Sequence, residues 1–236
     1  MKNTTKILPI SVIILFSMIA ATHFSGSIIH LPIIRKDNRS PAPTSGVQIL
    51  PNYSDYTDSN QILHLVGEVQ NNSADTLQFI QITADLFNAS GQLLATEYTF
   101  PHLDNLPPGQ KTCFDLWVYN APAGWTSYSF EKLSYDPNGI PVTNLALSNV
   151  SGSYDPTSGS YQVLGQVRNT SANLIKYVEP IGTLYNAAGK VIGCEFSFVD
   201  SYSLNPAEIS AFKLIFAGRD YRDAARYELQ VDGTPQ

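Results

Sequence analysis

The chain has 236 residues, a net charge of −6 and a pI near 5.1. That balance lacks the clustered Lys and Arg of a nucleic-acid partner, so none is expected, and two cysteines are too few for a disulfide scaffold. Low charge with plentiful Tyr, Phe, Ser, Asn and Thr suits short strands better than long helices, and the length allows an anchor, a linker and two domains of about 90 residues each.

Lys2 and Lys6 precede a mostly apolar, uncharged run from Ile7 to Ala21, the order of an export signal. The run of about 15 residues is short against the roughly 20 of a membrane span. Yet no further charge occurs before Arg35, and Ser27–Ile34 adds apolar surface. Small residues suited to cleavage stand at Ala20 and Thr22, or at Ser25 and Ser27, and no Cys follows that could carry a lipid. Residues 1–27 are therefore expected to be a signal peptide or an uncleaved signal-anchor, and both remain open. Residues 28–46 are expected to be an extended linker, because Arg35–Gly46 is charged and rich in Pro and Ser and cannot bury a core.

Beyond the linker the chain is written twice. Leu63–Val118 matches Tyr161–Phe216 without a gap at a spacing of about 98 residues. Gly67, Val69 and Asn71 return as Gly165, Val167 and Asn169, and Leu86-Phe87-Asn88 returns as Leu184-Tyr185-Asn186. A domain-sized period means duplication of a domain, over residues 47–138 and 145–236. Within each copy, period-two alternation marks half-buried strands. Leu63, Leu65 and Val69 open the first copy, and Asn71–Asp75 is a run of turn formers that ends that strand. Ile80, Ile82, Ala84 and Leu86 line one face of a longer strand, and Gly91 closes a hairpin. Leu94–Phe100 returns, the Leu106–Gln110 turn launches Thr112, Phe114, Leu116 and Val118, and Tyr128–Tyr135 closes the copy. In the second copy Pro180 falls inside a strand and deletes a ladder hydrogen bond, which places it at a sheet edge or a bulge. Six or seven short strands per copy predict an all-β fold of two tandem antiparallel β-sandwiches.

These residues resemble the FxLYD domains, small immunoglobulin-like β-sandwich modules of exported or membrane-attached proteins of bacteria and archaea. Three features carry the resemblance: the G-x-V-x-N strand end, the hairpin after Leu86-Phe87-Asn88 and Leu184-Tyr185-Asn186, and the approach from Leu106 or Leu204 to Phe114 or Phe212. Ala84 and Gly182 replace the leading Phe, Asn replaces the final Asp, and Ala207 replaces a Gly. The resemblance implies fold and location; the family has no established catalytic or binding residues to carry over.

Candidate chemistry is sparse. His64 occupies the polar phase of its strand and is expected to face solvent. The Asp residues at 55, 58, 136, 155 and 200 are scattered and read as turn formers rather than a calcium site. No metal and no cofactor is expected. Cys113 and Cys194 are not a repeated pair. They could bridge the two domains or both stay reduced and buried, and Cys113, opposite in phase to Phe114, is expected to be partly exposed. Trp117, Tyr119, Trp125 and Tyr128 cluster in the first copy only, where they offer a partner or ligand surface or pack an edge of the sandwich. The Asn-x-Ser/Thr triplets at Asn38, Asn52, Asn71, Asn88, Asn149 and Asn169 count as turns. The expected protein is exported, non-enzymatic and structural or interacting at the cell surface. Its partner would be a surface protein or polysaccharide, and it would be attached to the membrane if the N-terminal segment stays uncleaved. The alternative is a ligand-binding, carbohydrate-type module using the aromatic end.

Overall fold

The computed structural model describes residues 46–236 apart from 142–143, so the export segment and tether lie outside the described residues. As the alternation predicts, every regular element described is a strand, and every pairing is antiparallel. In the first copy these are β1 (Val47–Ile49), β2 (Ser54–Thr57), β3 (Leu63–Asn71), β4 (Leu77–Asn88), β5 (Leu93–Thr99), β6 (Asn105–Leu106), β7 (Lys111–Val118) and β8 (Trp125–Asp136). The second contributes β9 (Leu145–Tyr154), β10 (Tyr161–Asn169), β11 (Ile175–Asn186), β12 (Val191–Phe196), β13 (Ser203–Leu204), β14 (Ile209–Phe216) and β15 (Ala224–Pro235).

Four sheets result. In sheet A, β3 pairs with β1 and β2 on one side and β7 on the other; in sheet B, β4 pairs with β5, β6 and β8. Sheet C is β9, β10 and β14, and in sheet D β11 pairs with β12, β13 and β15. The register follows the repeat: Gly67 stands opposite Phe114 in sheet A, and Gly165 opposite Phe212 in sheet C. Sheets A and B close over a core containing Leu65, Ile82, Leu86, Phe114 and Leu116, and sheets C and D over one containing Val163, Leu184, Phe212 and Leu214.

Strand β3 departs from half-burial. Leu63, Leu65 and Val69 point into their own core, but His64, Val66 and Glu68 on the other face are buried too. The cause is sheet D. Its β11 sends Gly182 and Leu184 inward, where a Cβ on Gly182 would lie 2.7 Å from Leu214, and sends Ile181, Thr183 and Tyr185 outward onto sheet A. The layers therefore stack in the order B, A, D, C, with a joint between A and D. Pro180 lies just past a register shift between Lys176 and Glu179, so the bulge accommodates it; β11 itself is paired on both sides. The matching shift between Gln78 and Gln81 and the positive φ of Phe79 (50°) and Tyr177 (51°) show the bulge repeating in both copies.

Candidate functional site

The chemistry-bearing side chains gather at the joint between sheets A and D. Strand alternation puts Lys111, Cys113, Asp115 and Trp117 on the outer face of β7, beside His64, Val66 and Glu68 of β3. From the other side come Tyr185 of β11, Val191 and Cys194 of β12, and Glu228 of β15.

At the centre Cys113 and Cys194 form a disulfide, S–S 2.07 Å, between the two copies. Cys113 is fully buried, which corrects the expectation of partial exposure: its phase is opposite to Phe114 as read, but that face meets sheet D, not water. On one flank Val66, Tyr185 and Val191 make a small apolar cluster. There Lys111 Nζ lies 2.8 Å from Glu68 Oε1, 3.0 Å from Glu228 Oε2 and 3.0 Å from the Tyr185 hydroxyl, which itself donates to Glu68 at 2.5 Å. Asn52 Nδ2 donates to the other Glu68 oxygen at 2.7 Å. Burial works to lower the Lys111 pKa, but these three acceptors outweigh it and hold the ammonium charged. Burial pushes the Tyr185 hydroxyl up.

On the other flank lies His64, buried and not solvent-facing as the polar phase suggested; the same covering sheet is the reason. Its Nδ1 is 2.9 Å from Asp115 Oδ2, and its Nε2 faces Asp58 Oδ2 at 3.8 Å. The ring stacks on Tyr56 at 4.6 Å and meets the Trp117 edge at 5.2 Å. Burial opposes the imidazolium, yet the hydrogen bond and charge of Asp115, with Asp58, raise its pKa. Nearby Glu195 is pushed up to about 7, first by burial and then by Asp115. At a further edge of the joint Glu179, 3.5 Å from His102, is pushed up to about 7 by burial and by the charges of Asp104 and Asp232.

The four aromatic residues of the first copy divide. Trp117 and Tyr119 stay 48% and 60% exposed with ring centroids 6.0 Å apart, at the end of β7. Trp125 and Tyr128 begin β8 and pack against the first core, where Tyr128 lies 5.9 Å from Tyr53 and donates to Asp55 at 3.3 Å. Asp58, Asp136 and Asp155 each accept backbone N–H groups within their own turns. Among the described residues no group of three His, Cys, Asp or Glu is placed to hold a metal ion. Glu68, Lys111, Tyr185 and Glu228 were missed by sequence reading. The available signal was divergence between copies at outward positions: Glu68, Lys111 and Tyr185 become Gln166, Ile209 and Phe87.

No protein-family model matches the chain, and comparison with characterised proteins gives no match. Among solved structures it is similar to an exo-chitosanase of Amycolatopsis orientalis (12% identity, TM-score 0.27, covering 78% of this chain and 26% of that one). It is also similar to red sea bream transglutaminase (10%, TM-score 0.26, 77% and 29%) and a β-glucuronidase of Bacteroides uniformis (12%, TM-score 0.21, 79% and 28%). The chain spans under a third of each of those structures, and at these values the likeness is to β-rich architecture and carries no activity.

Proposed function

We propose that this is an exported, non-enzymatic structural or interaction protein of the cell surface, two FxLYD-like β-sandwich modules held at the membrane or wall by the N-terminal segment. The observation that carries this reading is the Cys113–Cys194 disulfide joining the two copies, since such bonds persist in oxidising compartments. The burial of the titratable groups within the joint supports a rigid spacer: Nε2 of His64, the nitrogen that would serve a substrate, faces Asp58. The test is topological. Lys2 and Lys6 hold the short N-terminal tail inside, so a reporter fused after Gln236 is expected to be active outside the cytoplasm. A fusion active only in the cytoplasm sinks the reading. N-terminal sequencing of the purified protein separates cleavage from anchoring.

A second reading, binding of a surface protein or polysaccharide, rests on Trp117 and Tyr119, whose rings stay exposed at the border of a face otherwise covered. Trp117→Ala is expected to abolish retention on isolated cell-wall polysaccharide; unchanged retention removes this reading.

A further inference from the structure

The joint between sheets A and D is made of two faces, and the repeat supplies each of them a second time. Sheet C occupies in the second copy the place of sheet A in the first, and sheet B the place of sheet D. Among the described residues nothing covers either of these outer faces, at the two ends of the stack. We propose that they meet between molecules: the outer face of sheet B of one chain docks on the outer face of sheet C of a second copy, head to tail, repeating the internal joint.

The residues at the free faces match one another as a joint would require. The apolar cluster Val66, Tyr185 and Val191 corresponds to Leu164, Phe87 and Leu93, all apolar, with Leu164 45% and Leu93 50% exposed. In the joint the Lys111 ammonium lies over the Tyr185 ring at 5.2 Å and binds its hydroxyl and Glu68. At the free faces three of the four members of that network, Lys111, Tyr185 and Glu68, change together, to Ile209, Phe87 and Gln166. Ile209, 51% exposed, would sit on the Phe87 ring with no hydroxyl or charge left to satisfy. The disulfide partners Cys113 and Cys194 correspond to Ala211 and Thr96, small enough for the same approach. The strands of sheet C carry Arg168 and Lys213 and no carboxylate; sheet B has Asp85 on its outer face between Thr83 and Phe87, and Lys132 of β8 pairs with Thr83, so charge neither favours nor opposes the contact. Two solvated sheet faces would carry polar residues at these positions; half-exposed Leu and Ile at the counterparts of a buried contact mark an interface. Because the two faces differ, the contact is heterologous and does not close on a pair, so it propagates into linear assemblies.

The disulfide of the joint gives the test. Full-length Thr96→Cys and Ala211→Cys chains, in mild detergent, are mixed under gentle oxidation and resolved without reductant. The mixture is expected to yield a dimer of one chain of each kind, because positions 96 and 211 stand where Cys194 and Cys113 bond. Each variant alone should give no covalent adduct, and the double variant should give a ladder. An intrachain bond is out of reach, since sheets B and C are separated by three layer spacings of about 10 Å. Leu93→Asp in the first chain, or Leu164→Asp in the second, should cut the adduct by about tenfold or more by burying an unpaired carboxylate. Circular dichroism and intact mass confirm that the variants fold and retain the native disulfide. No mixed adduct, or homodimer adducts as abundant as the mixed one, overturns the proposal. The adduct needs only the joint, so a failed topology test would leave this proposal standing, and a missing adduct would leave export standing.

Discussion

Gly67 and Gly165 explain the G-x-V-x-N motif at the level of single atoms. A Cβ on either would lie 2.7 Å or 2.6 Å from the ring of Phe114 or Phe212, so the ring lies directly on the glycine of the neighbouring strand. Phe114 and Phe212 are thus equivalent core residues, both buried. Truncating either to Ala is expected to cost about 3–5 kcal/mol of its own module's stability, read by urea denaturation. The motif asparagine does a different job. Asn71, fully buried, donates to the carbonyls of Asp75 and Leu106 at 2.7 and 2.8 Å and accepts from the Ser73 N–H and hydroxyl. Asn169 repeats all four bonds with Asn173, Leu204 and Ser171. Each ties a turn to the short strand that follows. Asn71→Ala takes this donor from the buried Leu106 carbonyl and unties the turn at Asp75, and is expected to cost on the order of 3 kcal/mol, whereas Asn72→Ala, one residue on and exposed, should cost under about 0.5 kcal/mol.

At the scale of elements, β3, β7, β11 and β12 are the strands that face both a core and the joint. Removing the disulfide by paired Cys113→Ser and Cys194→Ser substitutions frees a loop of 81 residues in the unfolded chain. The expected loss is about 4 kcal/mol, measured as the difference between oxidised and substituted proteins. The charge network is subtler. Lys111→Ile alone strips Glu68 of its cation and should cost roughly 2 kcal/mol, allowing for the partial exposure of Lys111. The triple change Glu68→Gln, Lys111→Ile and Tyr185→Phe writes the residues of the free faces into the joint and should keep its stability within about 1 kcal/mol of the parent. A triple variant less stable than the single one would show that the free faces are not a workable version of this contact.

The whole molecule should respond to pH through its joint. Glu195 and Glu179, both at about 7, start from an ordinary value of 4.5, and Asp104 and Asp232 are also raised, first of all by burial. A carboxyl whose folded pKa is raised contributes stability that is full below its unfolded pKa and is lost as pH climbs through the folded one. His64, also raised, loses its contribution in the same direction as pH rises above 6.5. His102, lowered by burial, opposes them below 6.5. Asp220, held at about 2 by Arg222 and Tyr154, contributes stability that falls away only as pH drops below 3.8. The melting temperature is therefore expected to peak near pH 5 and decline from there to pH 8. Glu195→Gln should flatten that decline and raise the melting temperature at pH 8. A profile rising over this interval would mean that the joint is wetter than its burial shows.

Period-two alternation, the glycine and proline turns and the gapless repeat were enough to read the all-β fold, the phase of Phe114 and the bulge option at Pro180 directly from the chain, because they are local consequences of which residue follows which. What the second face of a strand meets is not local. His64 and Cys113 lie in the polar phase by sequence and are buried in fact, and the exposed Trp117 and the core-packed Tyr128 looked alike in the chain. The stacking of sheet D on sheet A decided the first two, in a joint whose contacts link residues as far apart as Glu68 and Tyr185, 117 positions along the chain, and packing on the first core decided Tyr128. Sequence periodicity records that a face is apolar or polar; whether a polar face is wet or paired depends on a second surface supplied from elsewhere in the fold.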